Sequence, residues 1–462
     1  MIPSHCSIRN LLGGLLALSL VAAACGGGGD TEDATGAEAD GSTTTVDTGT
    51  TEAPTEDPVD STVDAASEET TSLPAEPAGP PTETRGFDGS TIKLGYITDQ
   101  TTPLALVGVA LLGGAEAFWA DVNAQGGVGG EYQVELVPAD GKDSEAETVQ
   151  EYQRIKEDVV MIAQVLSTPP TQALVEFLEE DEMIAVPGSL AGQWGLEANL
   201  LPNGTAYEFE MINLADWYVN ESGLASDADV FCTLKVDDKY GNDSARGVDH
   251  AATELGFDVG EEQTFTRLDA AFTAQVTRLN DAGCTVVFTI SLPAQQAAIL
   301  QEAAALGFDP VWLGSLPSYL NLFATGSPEL WENFYVALDT PNFDSDEPGM
   351  AKFNEVWDAH GDGNVNTFNL SGYFQSIATR ALLEAAVAAG DLSPEGIKSA
   401  LAGLGEVELD GLADNYVYGA PEDRIPAAGS RIYRFDATNP PNLLTEVDRI
   451  ESALTQSFDL SS

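Results

Sequence analysis

Basic residues are scarce in this chain: 18 lysines and arginines stand against 75 aspartates and glutamates in 462 residues, a formal charge of −57. So negative a body repels phosphodiester backbones and anionic lipid headgroups, which excludes nucleic acid and the bare membrane surface as partners of the folded part. It would suit a saline habitat. Histidine is almost absent, and His250 and His360 share no metal-ligand spacing. Asp344, Ser345, Asp346 and Glu347 begin like a calcium loop but lack its central glycine and its terminal glutamate at the right spacing. No Gly-x-Ser-x-Gly elbow, His-Glu-x-x-His helix or Walker phosphate loop occurs. These absences exclude the common hydrolytic and metal-dependent chemistries, and the expectation is a protein with no catalytic residues, metal or cofactor.

Cysteine is sparse as well, and the place of one of the four is informative. Arg9 supplies a positive charge, residues 11–21 a short apolar stretch, and Ala22, Ala23 and Ala24 the small residues before Cys25. This arrangement resembles a bacterial lipoprotein signal, in which residues 1–24 are removed and Cys25 is diacylated as the new N-terminus. The apolar run is too short to span a bilayer as a mature helix, and no later stretch is expected to span one. Acyl chains would anchor the protein at about 0.8 kcal/mol per buried CH₂. The alternative is an ordinary cleaved secretory signal with a chance cysteine. Residues 25–86 follow as Thr, Glu, Asp, Ala, Gly and Pro with scarcely a large apolar side chain. Such a segment cannot bury enough surface to offset its ordering entropy, which predicts a disordered acidic tether. Its mean span is on the order of 40 Å.

Cys6 leaves with the signal, so the mature fold keeps Cys232 and Cys284. In an oxidising compartment this pair could form a disulfide closing a loop of about 50 residues, stabilising by roughly 4 kcal/mol in the chain-entropy description. The alternative is two buried thiols acting as small apolar side chains.

From residue 91 onward the apolar periodicity alternates between that of strand and helix. Strands are predicted at 91–97, 132–137, 159–165 and 183–186. The helices between them carry Val109, Leu112, Phe118, Trp119 and Val122, then Val149, Tyr152 and Ile155, then Leu174, Phe177 and Leu178. After Gly204 the pattern restarts, with strands at 229–236, 285–290 and 311–314 and helices at 245–255, 272–282 and 294–306. Strand–helix–strand units with short turns build parallel sheets covered on both faces. A body of roughly 375 residues exceeds what one core serves. The fold class is therefore α/β, with two doubly wound parallel-sheet lobes. Helices at 351–360 and 372–389 lack strands enough for a third domain and should return to cover the first lobe.

Residues 121–130 read Asp-Val-Asn-Ala-Gln-Gly-Gly-Val-Gly-Gly, a helix end followed by a turn that needs positive φ. A phosphate cradle is disfavoured, because these glycines follow a helix whereas a dinucleotide fingerprint follows a strand. Ser167-Thr168-Pro169-Pro170-Thr171-Gln172 comes after the third strand, Pro187-Gly188-Ser189 after the fourth, and Asp237-Asp238-Lys239-Tyr240-Gly241 after the first strand of the second lobe. In this order of motifs the chain from residue 91 to about 450 resembles the leucine/isoleucine/valine-binding family of type I periplasmic substrate-binding proteins of ABC transporters. The resemblance implies a three-strand hinge with crossovers near Gly204, Asp339 and Gly429, so that 91–204 with 339–429 form an N-terminal lobe and 205–338 with 430–455 a C-terminal lobe. It also implies an extracytoplasmic protein that captures a small organic solute between the lobes and delivers it to permease and ATPase subunits.

By the same resemblance the ligand contacts fall to Ser167, Thr168, Gly188, Ser189, Leu190, Tyr240, Leu292 and Leu316. Physics agrees on the place, since ligands of open parallel sheets bind beyond the carboxyl ends of strands, where helix N-termini also offer N–H groups to an anion. Thr168 and Ser189 could instead cap helices, and Tyr240 could be a surface aromatic at a helix start. Leu316 stands where amino-acid-binding relatives carry an acid for the ligand ammonium, Leu190 where they carry a hydroxyl, and Leu292 or Pro293 where they carry a tyrosine. Burying an ammonium without a partner is costly. The expected ligand is small and apolar or aromatic, with a carboxylate or amide, rather than a zwitterionic amino acid, unless Asp237 or Asp238 supplies the acid. A ligand-sensing module signalling through a membrane partner is the alternative to transport, and a surface hydrolase stands a distant third.

Overall fold

The computed structural model describes residues 79–461. The expected signal 1–24, Cys6, Cys25 and the tether up to residue 78 lie outside the described residues. The end of the expected tether already belongs to the body: Arg85 Nη2 donates to Asp181 O at 3.1 Å, and Gly86 O accepts from Lys93 N at 2.8 Å.

The first sheet is parallel throughout, with β1 (Thr91–Thr98), β2 (Gln133–Asp140), β3 (Met161–Leu166) and β4 (Ala185–Gly188) in the order β2-β1-β3-β4. Central β3 is buried along its whole length, whereas edge strand β2 has exposed positions. A strand covered on both faces reads as a continuous apolar run, and an edge strand does not. Successive strands are joined by α1 (Ala105–Ala124), α2 (Glu145–Ile155) and α3 (Thr168–Glu180). Ser144 starts α2 by accepting from Glu147 N. By length and composition α1 is apolar enough to cross a membrane, against the expectation that no such stretch follows the N-terminus. Its apolar residues instead face protein: Val107, Leu111, Phe118 and Trp119 are buried.

Beyond Gly204 the chain passes to the second lobe through α4 (Tyr207–Asp216). Then follow β5 (Phe231–Val236), α5 (Lys239–Leu255), β6 (Val259–Phe265), α6 (Thr273–Ala282), β7 (Val286–Ile290), α7 (Pro293–Leu306), β8 (Val311–Gly314), α8 (Asn321–Gly326) and β9 (Phe334–Leu338). Left-handed glycines at 256, 283 and 307 stop α5, α6 and α7. Four of these elements, α4, β6, α8 and β9, were not expected. The exposed face of β6 carries Gly260, Glu262 and Thr264, which dilutes its apolar signal.

After β9 the chain returns to the first lobe as α9 (Pro348–His360), α10 (Thr367–Ala388) and α11 (Pro394–Ala402). α10 and α1 meet backbone to backbone: a Cβ on Gly114 would strike the Asn369 carbonyl, and one on Gly372 the Leu111 carbonyl. A small antiparallel pair, β10 (Gly405–Val407) with β11 (Tyr416–Tyr418), precedes β12 (Ser430–Phe435) and β13 (Leu444–Ile450). These last two add antiparallel strands to the second sheet, whose full order is β13-β12-β9-β8-β7-β5-β6. Two of the crossing segments are tied together where Thr205 Oγ1 donates to Gly429 O at 2.5 Å. In the second lobe Cys232 on β5 is joined to Cys284, just ahead of the neighbouring β7, with Cα atoms 5.9 Å apart.

Candidate functional site

The carboxyl ends of the parallel strands of both sheets face one another across a cavity of about 640 Å³, counting the part open to solvent. From the first lobe come Ser167 and Thr168 after β3, Gly188 and Leu190 after β4, Leu104, Val107 and Leu111 of α1, and Phe374 and Gln375 of α10. From the second come Tyr240 on α5, Arg267 after β6, Leu292 and Pro293 after β7, Leu316 after β8 and Asp339 after β9. The apolar side chains Leu104, Val107, Leu111, Leu166 and Leu190 stand on first-lobe elements yet join the apolar cluster of the second. The lobes are thus closed on each other at this point.

Seven of the eight residues singled out from the sequence line this cavity, and Ser189 does not. Its hydroxyl accepts from Trp194 Nε1 at 3.0 Å, behind the cleft wall. Neither Ser167 nor Thr168 caps α3. Ser167 Oγ accepts from Arg267 Nη2 at 2.8 Å instead, and the buried Thr168 Oγ1 has no partner among the described residues. Tyr240 is 2% exposed and therefore no surface aromatic. Its hydroxyl donates to Ser291 O at 3.2 Å and lies 2.5 Å from Ser315 Oγ, so the second lobe already satisfies it. Burial pushes its phenol well above the ordinary range. Asp238 is committed too: it caps α5 through Gly241 N at 3.0 Å and accepts from Arg267 Nε at 2.6 Å. Asp237 is exposed and does not line the cavity.

A sequence profile of the periplasmic binding protein family matches residues 91–439. The chain belongs to that family. It is 24% identical over 341 residues to the Leu/Ile/Val-binding protein homolog 7 of Brucella abortus, covering 70% of this chain and 84% of that one. Among solved structures it is similar to a fatty acid ABC transporter substrate-binding protein from Thermomonospora curvata, at TM-score 0.75 and 24% identity, over 82% of this chain and 97% of the other. It is similar also to a branched chain amino acid ABC transporter protein from Thermus thermophilus with bound valine, at TM-score 0.70 and 18% identity over 80% and 98% of the two chains. A third is a solute binding protein from R. palustris in complex with 4-hydroxybenzoate, at TM-score 0.66 and 17% identity over 79% and 98%. These structures share the two-lobed α/β fold of type I periplasmic binding proteins. The family is one of extracytoplasmic, non-enzymatic periplasmic binding proteins.

In this periplasmic binding protein the cleft carries two electrostatic features that the sequence did not reveal. Arg267 reaches from the second lobe to the first, with Nη1 2.7 Å from Asp143 Oδ2 and Nη2 on Ser167, while Nε holds Asp238 of its own lobe. The two carboxylates outweigh burial and hold the guanidinium pKa above its usual value. For Asp143 burial wins over the pull of Arg267 and raises the carboxyl. Arg267 was missed because the strand that delivers it, β6, was missed.

The second feature is Asp339, singled out in the sequence only as a crossover. It is 5% exposed, lines the cavity, and its Oδ1 has no partner among the described residues. Burial, helped by the charge of Asp414, pushes its pKa up to about 7. Glu210 of α4, whose carboxyl feels the Asp339 charge, is fully buried; its Oε2 accepts from Leu316 N at 3.2 Å and its Oε1 has no partner among the described residues. Desolvation and the Asp339 charge drive the Glu210 carboxyl well above its ordinary value.

Proposed function

We propose that this periplasmic binding protein captures a small solute with an apolar body between its lobes and hands it to the permease and ATPase subunits of an importer. Lipid on Cys25 and the acidic segment 25–86 would hold it at the outer face of the cell membrane. The observation that carries the reading is the cavity itself. It lies at the carboxyl ends of the parallel strands of both sheets, is walled by Leu104, Leu111, Leu190, Leu292, Leu316 and Phe374, and holds Thr168 Oγ1 and Gln375 Oε1, which have no partner among the described residues, for a polar end. Valine, 4-hydroxybenzoate and fatty acids, named for the similar proteins, share an apolar part that such walls would take.

A zwitterionic amino acid fits poorly. Among the described residues the one basic side chain lining the cavity, Arg267, already gives all three of its nitrogens to Asp238, Asp143 and Ser167. An incoming carboxylate would therefore find no free cation, which is costly for a charge removed from water. Closure is a population shift, driven by contacts that the ligand makes with both lobes at once. The test is thermal unfolding of the unlipidated chain from residue 26 onward against fractionated metabolite pools. A specific ligand at about 100 times its Kd adds about 2.7 kcal/mol to stability. A melting temperature unmoved by every pool would sink the reading.

A further inference from the structure

We infer that Asp339, backed by Glu210, receives an ammonium group, and that the solute is an amine with an apolar body and no carboxylate beside its nitrogen. The inference rests on the capture reading above and specifies its ligand.

Two buried carboxyl groups each leave one oxygen without a partner among the described residues: Oδ1 of Asp339, which lines the cavity, and Oε1 of Glu210, whose carboxyl feels the Asp339 charge. Buried polar atoms in folded proteins are nearly always hydrogen-bonded, so the orphaned Asp339 oxygen at the cavity marks a place for a donor from outside the chain. The surroundings are acidic. Asp414 acts on Asp339, and Asp339 and Glu208 act on Glu210. The phenols of Tyr207 and Tyr240, which face Glu210 from α4 and α5, stay neutral because burial raises both. Arg267 also lines the cavity, but its guanidinium is engaged on Asp143, Asp238 and Ser167.

An alcohol could satisfy one oxygen while leaving both acids protonated. A carboxylate would meet like charge once Asp339 ionises above about pH 7, and below that pH could at most share the proton Asp339 holds. An ammonium brings both donors and the one positive charge that allows Asp339 to ionise while Glu210 keeps its proton, and pairing compensates the desolvation of that charge. Leu316, where relatives place the ammonium partner, no longer argues against an amine, because the acid arrives from the hinge segment after β9 instead. The remaining wall, Leu104, Leu111, Leu190 and Phe374, takes hydrocarbon.

The proton balance follows from Asp339's pKa of about 7. The free cleft holds its proton below that pH, and amine binding must expel it, so affinity rises with pH up to about 7 and levels off above. Glu208, also held at about 7 but accepting from Gly192 N and facing Arg246, contributes through Glu210 only.

The test is calorimetry on the unlipidated chain with isopentylamine, isopentanol, 4-methylpentanoate and leucine, at pH 6 and pH 8. Isopentylamine should bind at least about tenfold tighter than the other three, and tighter at pH 8 than at pH 6. Asp339→Asn should weaken it by about 30-fold or more, as expected when a buried charge loses its partner, and should flatten the pH dependence. Cooperative melting of the variant shows that it is folded. Should it not fold, Glu210→Gln is expected to weaken the amine in the same direction. Tighter binding of leucine or 4-methylpentanoate, an unimpaired Asp339→Asn, or no binding of isopentylamine at millimolar concentration overturns the inference. If the amine fails while a metabolite pool still raises the melting temperature, solute capture stands and only the head group is wrong. If neither has an effect, both readings fall.

Discussion

Ser167 shows what a single residue gives up to be part of this cleft. It sits at φ 84° and ψ 146°, a backbone region that is essentially glycine's, yet it keeps a side chain whose hydroxyl meets Arg267. Two substitutions separate the strain from the hydrogen bond, since both remove Oγ and only one restores glycine's freedom. Ser167→Gly should be more stable than Ser167→Ala by about 1–3 kcal/mol, measured by urea unfolding. Equal stability would mean that the backbone is not strained there. Thr168 and Ser189 looked equivalent in the sequence as hydroxyls after neighbouring strands. Thr168 opens into the cavity and Ser189 is held by Trp194, a difference that depends on which way each chain turns after its strand.

At the level of elements, the contact of α1 with α10 depends on glycine at two places. Adding even a methyl group at Gly372 would drive it into the Leu111 carbonyl, which cannot rotate away as a flexible side chain could. Gly372→Ala should therefore cost about 1–3 kcal/mol, seen as an earlier thermal transition than wild type. The same substitution at Gly363, which has open space but positive φ, tests backbone strain alone. The Cys232–Cys284 link staples β5 to its neighbour β7. Mass spectrometry of unfolded, unreduced protein should find neither thiol alkylated. Reduction should remove roughly 4 kcal/mol of stability. Recovery of two alkylated cysteines would show them to be thiols in the isolated protein.

For the whole molecule, the Arg267 bridge is a latch between lobes. Arg267→Ala leaves Asp143 and Asp238 without their cation, so the closed form loses its tie and gains repulsion. Spin labels placed one on each lobe should report a longer mean separation in the ligand-free variant than in wild type. An unchanged distance would mean that apolar contact alone closes the cleft. Buried acids also set the response to pH. Glu208 and Asp339 are both held at about 7, whereas an unfolded chain releases such protons near pH 4. The folded state thus binds more protons than the unfolded one across that window, and stability falls as pH rises from about 4 to about 7, by about 1.4 kcal/mol per unit for each acid. Above pH 7 this loss is complete. Melting temperature should be higher at pH 5 than at pH 8, and Asp339→Asn should reduce the slope.

The alternation of apolar periods was enough to place most strands and to join them as parallel sheets in two lobes, whereas Ser167, Thr168, Gly188, Leu190, Tyr240, Leu292 and Leu316 were implied at one cleft by the family resemblance, in agreement with the rule that ligands sit beyond the carboxyl ends of parallel strands. Local pattern also foretold that helices at 351–360 and 372–389 would cover the first lobe, as α9 and α10 do. It could not supply β6, whose polar face hides its period, nor therefore Arg267 beyond it. It could not show that Asp339 faces the cavity, since a hinge residue's direction is set by three crossing segments far apart in sequence. Nor could it show that Asp238 is already engaged. Charge state and hydrogen-bond partnership belong to assembled neighbours, and only the closed pair of lobes brings Asp143, Asp238, Ser167 and Arg267 within reach of one another.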